Sequence, residues 1–461
     1  QRQMCIRDRN KGGETMRKRR SLLALCGAIV MILIVAPIGS AVEWDKYKGT
    51  ELNVMSVKQS FQTGLVQLAP EFEKMTGMKV KFDFVPWGNV RQLASVELSS
   101  KKTTYDVMFL VGADVQAYAK ANWLVSVSDM TKKGAITDQK MLGLDDFFQG
   151  PLEMLSRGGH IYGLPFFNAT QNFYYNIDVF KAHNISKVPE TLDELIEVAA
   201  KIHTKEMPAI SLRSAAGNYA NMWTFLSVMY SQGGRLFKDY PNDMHPAINS
   251  PENIMAAEKY ALLLQKYGPP GYGAILFQDN LANFQTARVA MSVEGTPLAG
   301  RILDPEKSKV VGKTGFAVVP FKGAGGIFTP CACQGYGIPA ASQNKEAAWL
   351  FMQWALSSET MKKIAQETTF NAPTRDSVFN DPAFIKKYDY DWGGGSFLEV
   401  FNKTNALAPA WYIPAIPEFS EIDSIVGNAL NAVIVKDKTA EDSFGEAQKQ
   451  VDKVMRNAGY Y

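Results

Sequence analysis

Cysteine and histidine are scarce in this chain of 461 residues. There are four of each, at Cys5, Cys26, Cys331, Cys333, His160, His183, His203 and His245. The histidines are scattered without metal-ligand spacing, and two thiols one residue apart lack the companions that a metal site needs. The chain is therefore neither a disulfide-stapled scaffold nor a candidate for histidine or metal catalysis, and no metal is expected. Cys331 and Cys333 form either a strained local disulfide or two free buried thiols.

Catalytic signatures are also missing. The sequence contains no G-x-S-x-G, no H-E-x-x-H, no Walker A loop and no G-x-G-x-x-G after a strand. These motifs hold nucleophiles, metal ions and nucleotide phosphates, so their absence argues against the common hydrolases and nucleotide-dependent enzymes. No cofactor is expected.

Residues 16–41 have the anatomy of an export signal. Four basic residues at 17–20 precede an apolar stretch at 22–35, and small residues lead up to Ala41. Such a segment is removed on export, which predicts a mature protein that begins near Val42, in the periplasm. The residues before Met16 look like upstream or vector-derived sequence.

A membrane anchor is the main alternative for this segment. Spanning a bilayer takes about 20 apolar residues, and this run is shorter and is interrupted by Pro37. Cys26 is poorly placed for lipid modification because Leu25 precedes it, so a soluble, released product is expected. Arg19 and Arg20 partly match a twin-arginine signal, which leaves the export route open between Sec and Tat.

Once the leader is removed, no excess of basic charge remains. Residues 1–41 contain eight Lys/Arg and two Asp/Glu, so the formal net charge changes from +3 to about −3. A nucleic-acid partner is therefore not expected. The remaining length of about 420 residues is enough for two domains.

Apolar patterning predicts alternating strands and helices. Strands are predicted at 52–55, 80–84 and 105–110, with a helix that stops at Gly77 and another at 90–99. Further along, Thr191 and Glu194 form a capping box before an amphipathic helix, and Ser342 is predicted to open a similar one. This succession favours an α/β fold with two doubly wound sheets.

Aromatic residues are the positive functional signal, at 11% of the chain. Several fall in segments rich in Gly, Pro and Asn: Trp87, Trp223, Tyr272, Tyr336, Trp392, Trp411 and Tyr412. Aromatic faces in loops suit stacking on the C–H faces of a sugar, while neighbouring polar side chains bind its hydroxyls. The alternative is that these rings fill the core beneath loops.

In the order of its segments the chain resembles the family 1 extracellular solute-binding proteins of ABC importers, over essentially the whole mature length. The matching stretches are EFEKMTG at 71–77, YDVM at 105–108, YAKANWL at 118–124, IYGLPF at 161–166, YYN at 174–176 and PETLDEL at 189–195. The stretches GPPG at 268–271, NLANFQ at 280–285 and IPEF at 416–419 are most similar to the branch for sugar alcohols and related sugars.

The resemblance implies a two-lobed periplasmic binding protein fold of type II. The chain would cross between the lobes near Phe167, Cys333 and Asn371. This gives lobe 1 as 43–167 with 335–370 and lobe 2 as 168–334 with 371–461. The lobes would close over one sugar or sugar alcohol, and the closed monomer would dock on the permease subunits.

The resemblance also implies a set of ligand-binding positions. They are Gln59, Ser60, Asp114, Asn168, Gln171, Trp223, Glu294, Tyr336, Arg375 and Trp411. Tyr336 stands where a Trp is common in the family, and Cys331 and Cys333 fall where cysteines are rare.

Two alternatives remain. One is an exported glycosidase or lyase with Asp114 and Glu294 as its pair of carboxylates. The other keeps the fold and changes the ligand to an oligosaccharide, a phosphorylated compound or a peptide. An anionic ligand calls for several cationic groups, and Arg375 and Arg91 are the obvious candidates, so a neutral polyhydroxylated ligand is preferred.

Overall fold

The computed structural model describes residues 42–217, 220–409, 412–414 and 416–461. The predicted export signal and the residues before it lie outside the described residues, and so does Trp411. Within the described ranges no helix is both long enough and apolar enough to span a bilayer.

The described residues form short strands and longer helices in alternation. The strands are β1 Glu51–Ser56, β2 Lys79–Phe84, β3 Val107–Val111, β4 Ser156–Arg157, β5 His160–Ile161, β6 Leu164–Ala169, β7 Gln171–Asn176, β8 Ile210–Ser211, β9 Phe237–Asp239, β10 Asp243–Pro246, β11 Met291–Gly295, β12 Thr314–Val318 and β13 Ala332–Gly337. The helices are α1 Ser60–Thr76, α2 Trp87–Ser99, α3 Gly112–Lys120, α4 Val127–Met130, α5 Gln139–Leu142, α6 Gln149–Met154, α7 Ile177–Ala182, α8 Leu192–Ile202, α9 Ala220–Ser231, α10 Pro251–Tyr267, α11 Phe277–Gln285, α12 Ala299–Ile302, α13 Lys345–Ala355, α14 Ser358–Glu367, α15 Asp376–Phe379, α16 Pro382–Tyr388, α17 Phe397–Ala406, α18 Phe419–Ile434 and α19 Ala440–Asn457.

The first sheet has five strands in the order β2-β1-β3-β13-β6. β1 is parallel to β2 and β3, and β13 is antiparallel to both β3 and β6. The helix between β1 and β2 ends at Gly77, whose φ of 69° is readily adopted only without a side chain. Because β1, β2 and β3 run the same way, the loops that follow them lie at one edge of this sheet.

The second sheet has four strands in the order β12-β7-β11-β8. β11 is parallel to β8, and β7 is antiparallel to β11 and β12. β7 is buried along its whole length, including its polar residues Gln171, Asn172 and Asn176. One hydrophobic core lies around the first sheet and reaches under α11, α12 and α17, and another lies around the second sheet.

The two sheets are linked where β6 leads through Thr170 into β7. The Thr170 hydroxyl lies 2.7 Å from that of Thr404 at the end of α17, and Thr329 Oγ1 donates to the Thr404 carbonyl at 2.8 Å. These hydrogen bonds tie α17 to two of the segments between the sheets. The lobe boundaries given above stay a prediction.

Several local predictions can be checked directly. The capping box of Thr191 and Glu194 is confirmed. The helix expected to open at Ser342 begins instead at Lys345, because Ser342 Oγ donates to Asp106 and accepts from the Asn344 amide. Of the two states considered for Cys331 and Cys333, the structure shows free buried thiols.

Candidate functional site

An Arg–carboxylate pair lies where β8 and β11 of the second sheet end. Glu294 is the fourth residue of β11, and Arg213 follows β8 by two residues. Arg213 Nε donates to Glu294 Oε2 at 2.9 Å, and its Nη2 donates to the other carboxylate oxygen. This geometry is bidentate, the strongest form of an Arg–carboxylate contact.

The Glu294 carboxylate is fully buried. Besides Arg213, it accepts a hydrogen bond from Asn280 Nδ2 at 3.1 Å and one from the Gly295 amide at 2.7 Å. Four donors therefore stabilise the charged carboxylate and compensate for its loss of water. The guanidinium, in contrast, keeps 15% of its side-chain surface exposed.

Two further predicted residues join this pair. The Arg213 guanidinium lies 5.5 Å from the centre of the Trp223 ring and 5.6 Å from that of Phe277. Gln171 Nε2 donates to the Trp223 carbonyl at 2.8 Å, and Ser227 Oγ donates to Gln171 Oε1 at the same distance. The structure thus brings Gln171, Trp223 and Glu294 together, and Arg213 contacts both Trp223 and Glu294.

The first sheet presents a second Arg–carboxylate pair. Asp114 lies in the first turn of α3, directly after β3, and accepts from Arg91 Nε at 2.8 Å and from its Nη2. Burial works against the charge of Arg91, but the hydrogen bonds and charge of Asp114 outweigh it, so the pKa of Arg91 is raised. Burial, with the Asp114 charge, also raises the pKa of the nearby Tyr118 to about 12.

Two observations place Asp114 and Arg91 near the other half of the molecule. Ala113, beside Asp114, packs against the hydrophobic core of the second sheet. The charge of Asp423, on α18, contributes to the raised pKa of Arg91. This end of α3 therefore lies where the two halves meet.

Gln59 and Ser60 follow β1, the neighbour of β3 in the first sheet. Gln59 is the N-cap residue of α1 and Ser60 its first residue, and both are partly exposed. Since β1 and β3 are parallel, these residues and Asp114 occupy the same edge.

Tyr336 and Asn168 are buried, whereas Gln59 and Ser60 are partly exposed. Tyr336 is fully buried on β13, where its hydroxyl is 2.7 Å from Ser56 Oγ and its ring packs on Phe166. Burial raises its pKa to about 12. Asn168 donates to Asn405 Oδ1 at 2.8 Å and accepts from the Cys331 thiol, which places it in the link between the sheets.

Arg375 lies apart from the other predicted residues. It is 1% exposed and donates to the carbonyls of Leu356, Gly143 and Leu142 and to the carboxylate of Asp146. Burial lowers its pKa to about 10. Within the described ranges no hydrogen bond joins it to another predicted site residue, and its contacts are those of a residue that holds loops together.

Arg213 is the residue that the sequence did not reveal. It is separated from Glu294 by 81 positions, and nothing in its local sequence marks it. The signal that locates it is the pairing of Met291 with Ile210 and of Ser292 with Ser211, which aligns the ends of β11 and β8. Among the described residues, no group of three or more His, Cys, Asp and Glu is arranged to hold a metal ion.

The protein contains two mixed β-sheets that are joined by linking segments, and each sheet has polar residues at one edge. This arrangement is that of a two-lobed ligand-binding protein. Residues 57–362 match the model of the bacterial extracellular solute-binding proteins. This match covers more than half of the chain, which therefore belongs to that family.

Individual relatives agree with the family match. The chain is 26% identical to the mannitol-binding protein of Pseudomonas aeruginosa over 429 residues, or 89% of this chain and 94% of the relative. A solute-binding protein of Agrobacterium radiobacter K84 in complex with ribitol superposes with a TM-score of 0.77 at 28% identity, covering 88% of this chain and 99% of that one. One from Agrobacterium vitis S4 with bound D-mannitol has a TM-score of 0.76 at 26% identity, covering 89% and 99%.

These comparisons confirm the predicted fold and class. The chain has the two-lobed α/β fold of the periplasmic solute-binding proteins. It is a solute-binding protein of the ABC-transporter type and not an enzyme, so the glycosidase alternative is not supported. The family is one of extracellular proteins.

Proposed function

We propose that this protein captures a neutral sugar alcohol between its two lobes and delivers it to the permease of an ABC importer. The observation on which this rests is that the arginines at the sheet edges are already neutralised. Arg213 is paired with Glu294 and Arg91 with Asp114, each through two hydrogen bonds. An anionic ligand would have to displace a carboxylate, whereas a hydroxyl can both donate to a carboxylate and accept from a guanidinium.

The relatives support the same ligand class, because the solved structures contain ribitol and D-mannitol. In this proposal Trp223 supplies an aromatic face, and Arg213, Asp114, Gln59 and Ser60 supply hydrogen bonds. Gln171 is fully buried and positions Trp223 through its hydrogen bond to the Trp223 carbonyl. Glu294 acts chiefly by positioning Arg213, because its carboxylate is fully buried. Asn168 and Tyr336 support the site from the core, Arg375 holds loops together apart from it, and the role of Trp411 stays a prediction.

The lobes are proposed as 43–167 with 335–370 and 168–334 with 371–461, and they close because ligand contacts from both lobes exist only in the closed state. We further propose that the chain is exported, that it is cleaved near Ala41 and that it acts as a monomer without nucleic acid. Mass spectrometry of the exported protein tests the cleavage: it should give an N-terminus within a few residues of Val42.

Titration calorimetry with matched ligands tests the ligand class. We expect D-mannitol or ribitol to bind and the sugar acid D-gluconate to bind at least about tenfold more weakly, because each arginine already has a carboxylate partner. The bound alditol should be recovered chemically unchanged after prolonged incubation. Preference for gluconate, or no binding of any alditol, would contradict the proposal.

A further inference from the structure

Trp87 is an exposed aromatic residue that the proposed site does not use. It is the first residue of α2, and its side chain is 46% exposed. The other tryptophans of the described ranges are buried or partly buried. Exposing a large indole to water is unfavourable, which makes its surroundings informative.

The exposure of Trp87 does not come from facing outward on its helix. The side of α2 that faces the sheet is marked by the buried Val90, Ala94 and Leu98. Trp87 precedes Val90 by three residues and therefore lies on that same side. Val96 follows Trp87 by nine residues, which places it about 180° around the helix. It faces solvent and is 59% exposed.

Trp87 is exposed because the sheet ends beneath it. Only two residues separate it from the end of β2, so it lies at the edge of the sheet where the parallel strands end. Its ring makes a T-shaped contact with Phe109 of β3, with the centroids 6.1 Å apart. Such a contact covers only part of the indole, in agreement with the 46% exposure of Trp87.

The same side of α2 carries Arg91, which is paired with Asp114 of α3. Arg91 is one helical turn after Trp87, so its side chain is a neighbour of the indole. The pair supplies hydrogen-bond donors and acceptors, while the indole supplies a flat apolar surface. This combination suits a molecule with C–H faces and several hydroxyls.

We propose that Trp87 is the ligand-stacking residue of lobe 1, opposite Trp223 of lobe 2, and that a sugar alcohol covers its open face when the lobes close. This inference rests on the proposed function. It adds a second aromatic platform, so that the C–H surface of the ligand is held from both sides. The exposed face of Trp87 is available to pack on the ligand as lobe 1 closes over it.

The test compares Trp87→Ala, Trp87→Phe and the control Val96→Ala, each titrated with D-mannitol and ribitol by calorimetry. Loss of the stacking surface should weaken binding about tenfold in Trp87→Ala. Trp87→Phe should lose less, because it keeps a smaller ring. Val96→Ala, on the opposite side of the same helix, should bind like the wild type.

Iodide quenching provides an independent readout that a merely structural role would not change. Saturating alditol should protect part of the wild-type tryptophan fluorescence from iodide, and this protection should be lost in Trp87→Phe. Equal alditol affinity of Trp87→Ala and the wild type, or unchanged protection in Trp87→Phe, would overturn the assignment of Trp87 while leaving the proposed function intact. If the wild type binds no alditol, it is the proposed function that fails.

Discussion

The Arg–carboxylate pairs at the two sheet edges have the same chemistry but differ in how fully the protein encloses them. Glu294 is fully buried and accepts hydrogen bonds from two donors besides Arg213. The Arg213 side chain is 15% exposed. The side chains of Arg91 and Asp114 are 36% and 16% exposed. The second sheet thus presents a fixed, fully hydrogen-bonded group, whereas the first presents one that water still reaches.

This difference indicates a division of labour between the lobes. A buried pair whose donors are already in place needs little rearrangement to bind a hydroxyl, since its geometry is set by folding. A pair in contact with water is more strongly desolvated when a ligand and the opposite lobe cover it, so its interactions strengthen on closure. We expect lobe 2 to hold the ligand first and lobe 1 to sense it.

Glu294→Ala should give the largest effect. Removing the carboxylate leaves the Arg213 charge without its partner, and breaking a buried ion pair costs about 3–5 kcal/mol. Urea unfolding should therefore show a markedly lower free energy of unfolding, and the alditol affinity should fall as well. A stability equal to that of the wild type would show that the burial of this pair is energetically unimportant and would remove the contrast between the two pairs.

Asp114→Asn is the matched substitution in the partly exposed pair. Its effect on unfolding should be smaller than that of Glu294→Ala, at about 1 kcal/mol, because the Arg91 side chain is 36% exposed and water partly compensates for the lost charge. Alditol binding should weaken about tenfold as one charge-assisted acceptor is lost, while binding of D-gluconate should improve because Arg91 no longer has a carboxylate partner. If this variant is destabilised as strongly as Glu294→Ala, the two pairs are equivalent and the division of labour is wrong.

The smallest effect concerns an ion-pair cluster around Glu346, which contains none of the proposed site residues. The ammonium of Lys133 and the hydroxyl of Tyr47, followed by Lys46, lower the pKa of Glu346 to about 2 from an ordinary value of 4.5. A carboxylate with a lowered pKa stabilises the fold above its ordinary pKa, and this contribution is lost as the pH falls from 4.5 towards about 2.

Thermal unfolding of Glu346→Gln and the wild type across this pH range tests the prediction. The wild type should be modestly more stable at neutral pH, and the difference should shrink below about pH 4.5 and vanish near about pH 2. A difference that persists at low pH would show that Glu346 acts through packing and not through its charge.

The sequence predicted local structure well where short-range patterns determine it. The succession from β1 to β3 follows from apolar alternation and from Gly77, and the capping box at Thr191 is a contact between near neighbours. Ser342 shows the limit of such patterns: its hydroxyl bonds to Asp106, 236 positions away, and the helix starts three residues later. A pattern of neighbouring residues cannot predict a hydrogen bond to a residue so distant in the sequence.

The site was less predictable for the same reason. The resemblance to a family identifies Gln171, Trp223 and Glu294, but the contact of Arg213 with Glu294 depends on how β11 and β8 pair in the sheet. The complete burial of Tyr336 and Arg375 also depends on long-range packing, which residue type and loop composition do not reveal. Sequence therefore indicated the chemistry of the site better than its geometry.

Closure of the two lobes over a neutral sugar alcohol can be measured by X-ray scattering with and without ligand. At saturating D-mannitol or ribitol, as established by calorimetry, the radius of gyration of the mature protein should decrease, because surface from both lobes leaves water when the cleft shuts. D-gluconate at the same concentration should leave it unchanged. A radius of gyration that stays the same with a bound alditol would show that the lobes do not close over this ligand.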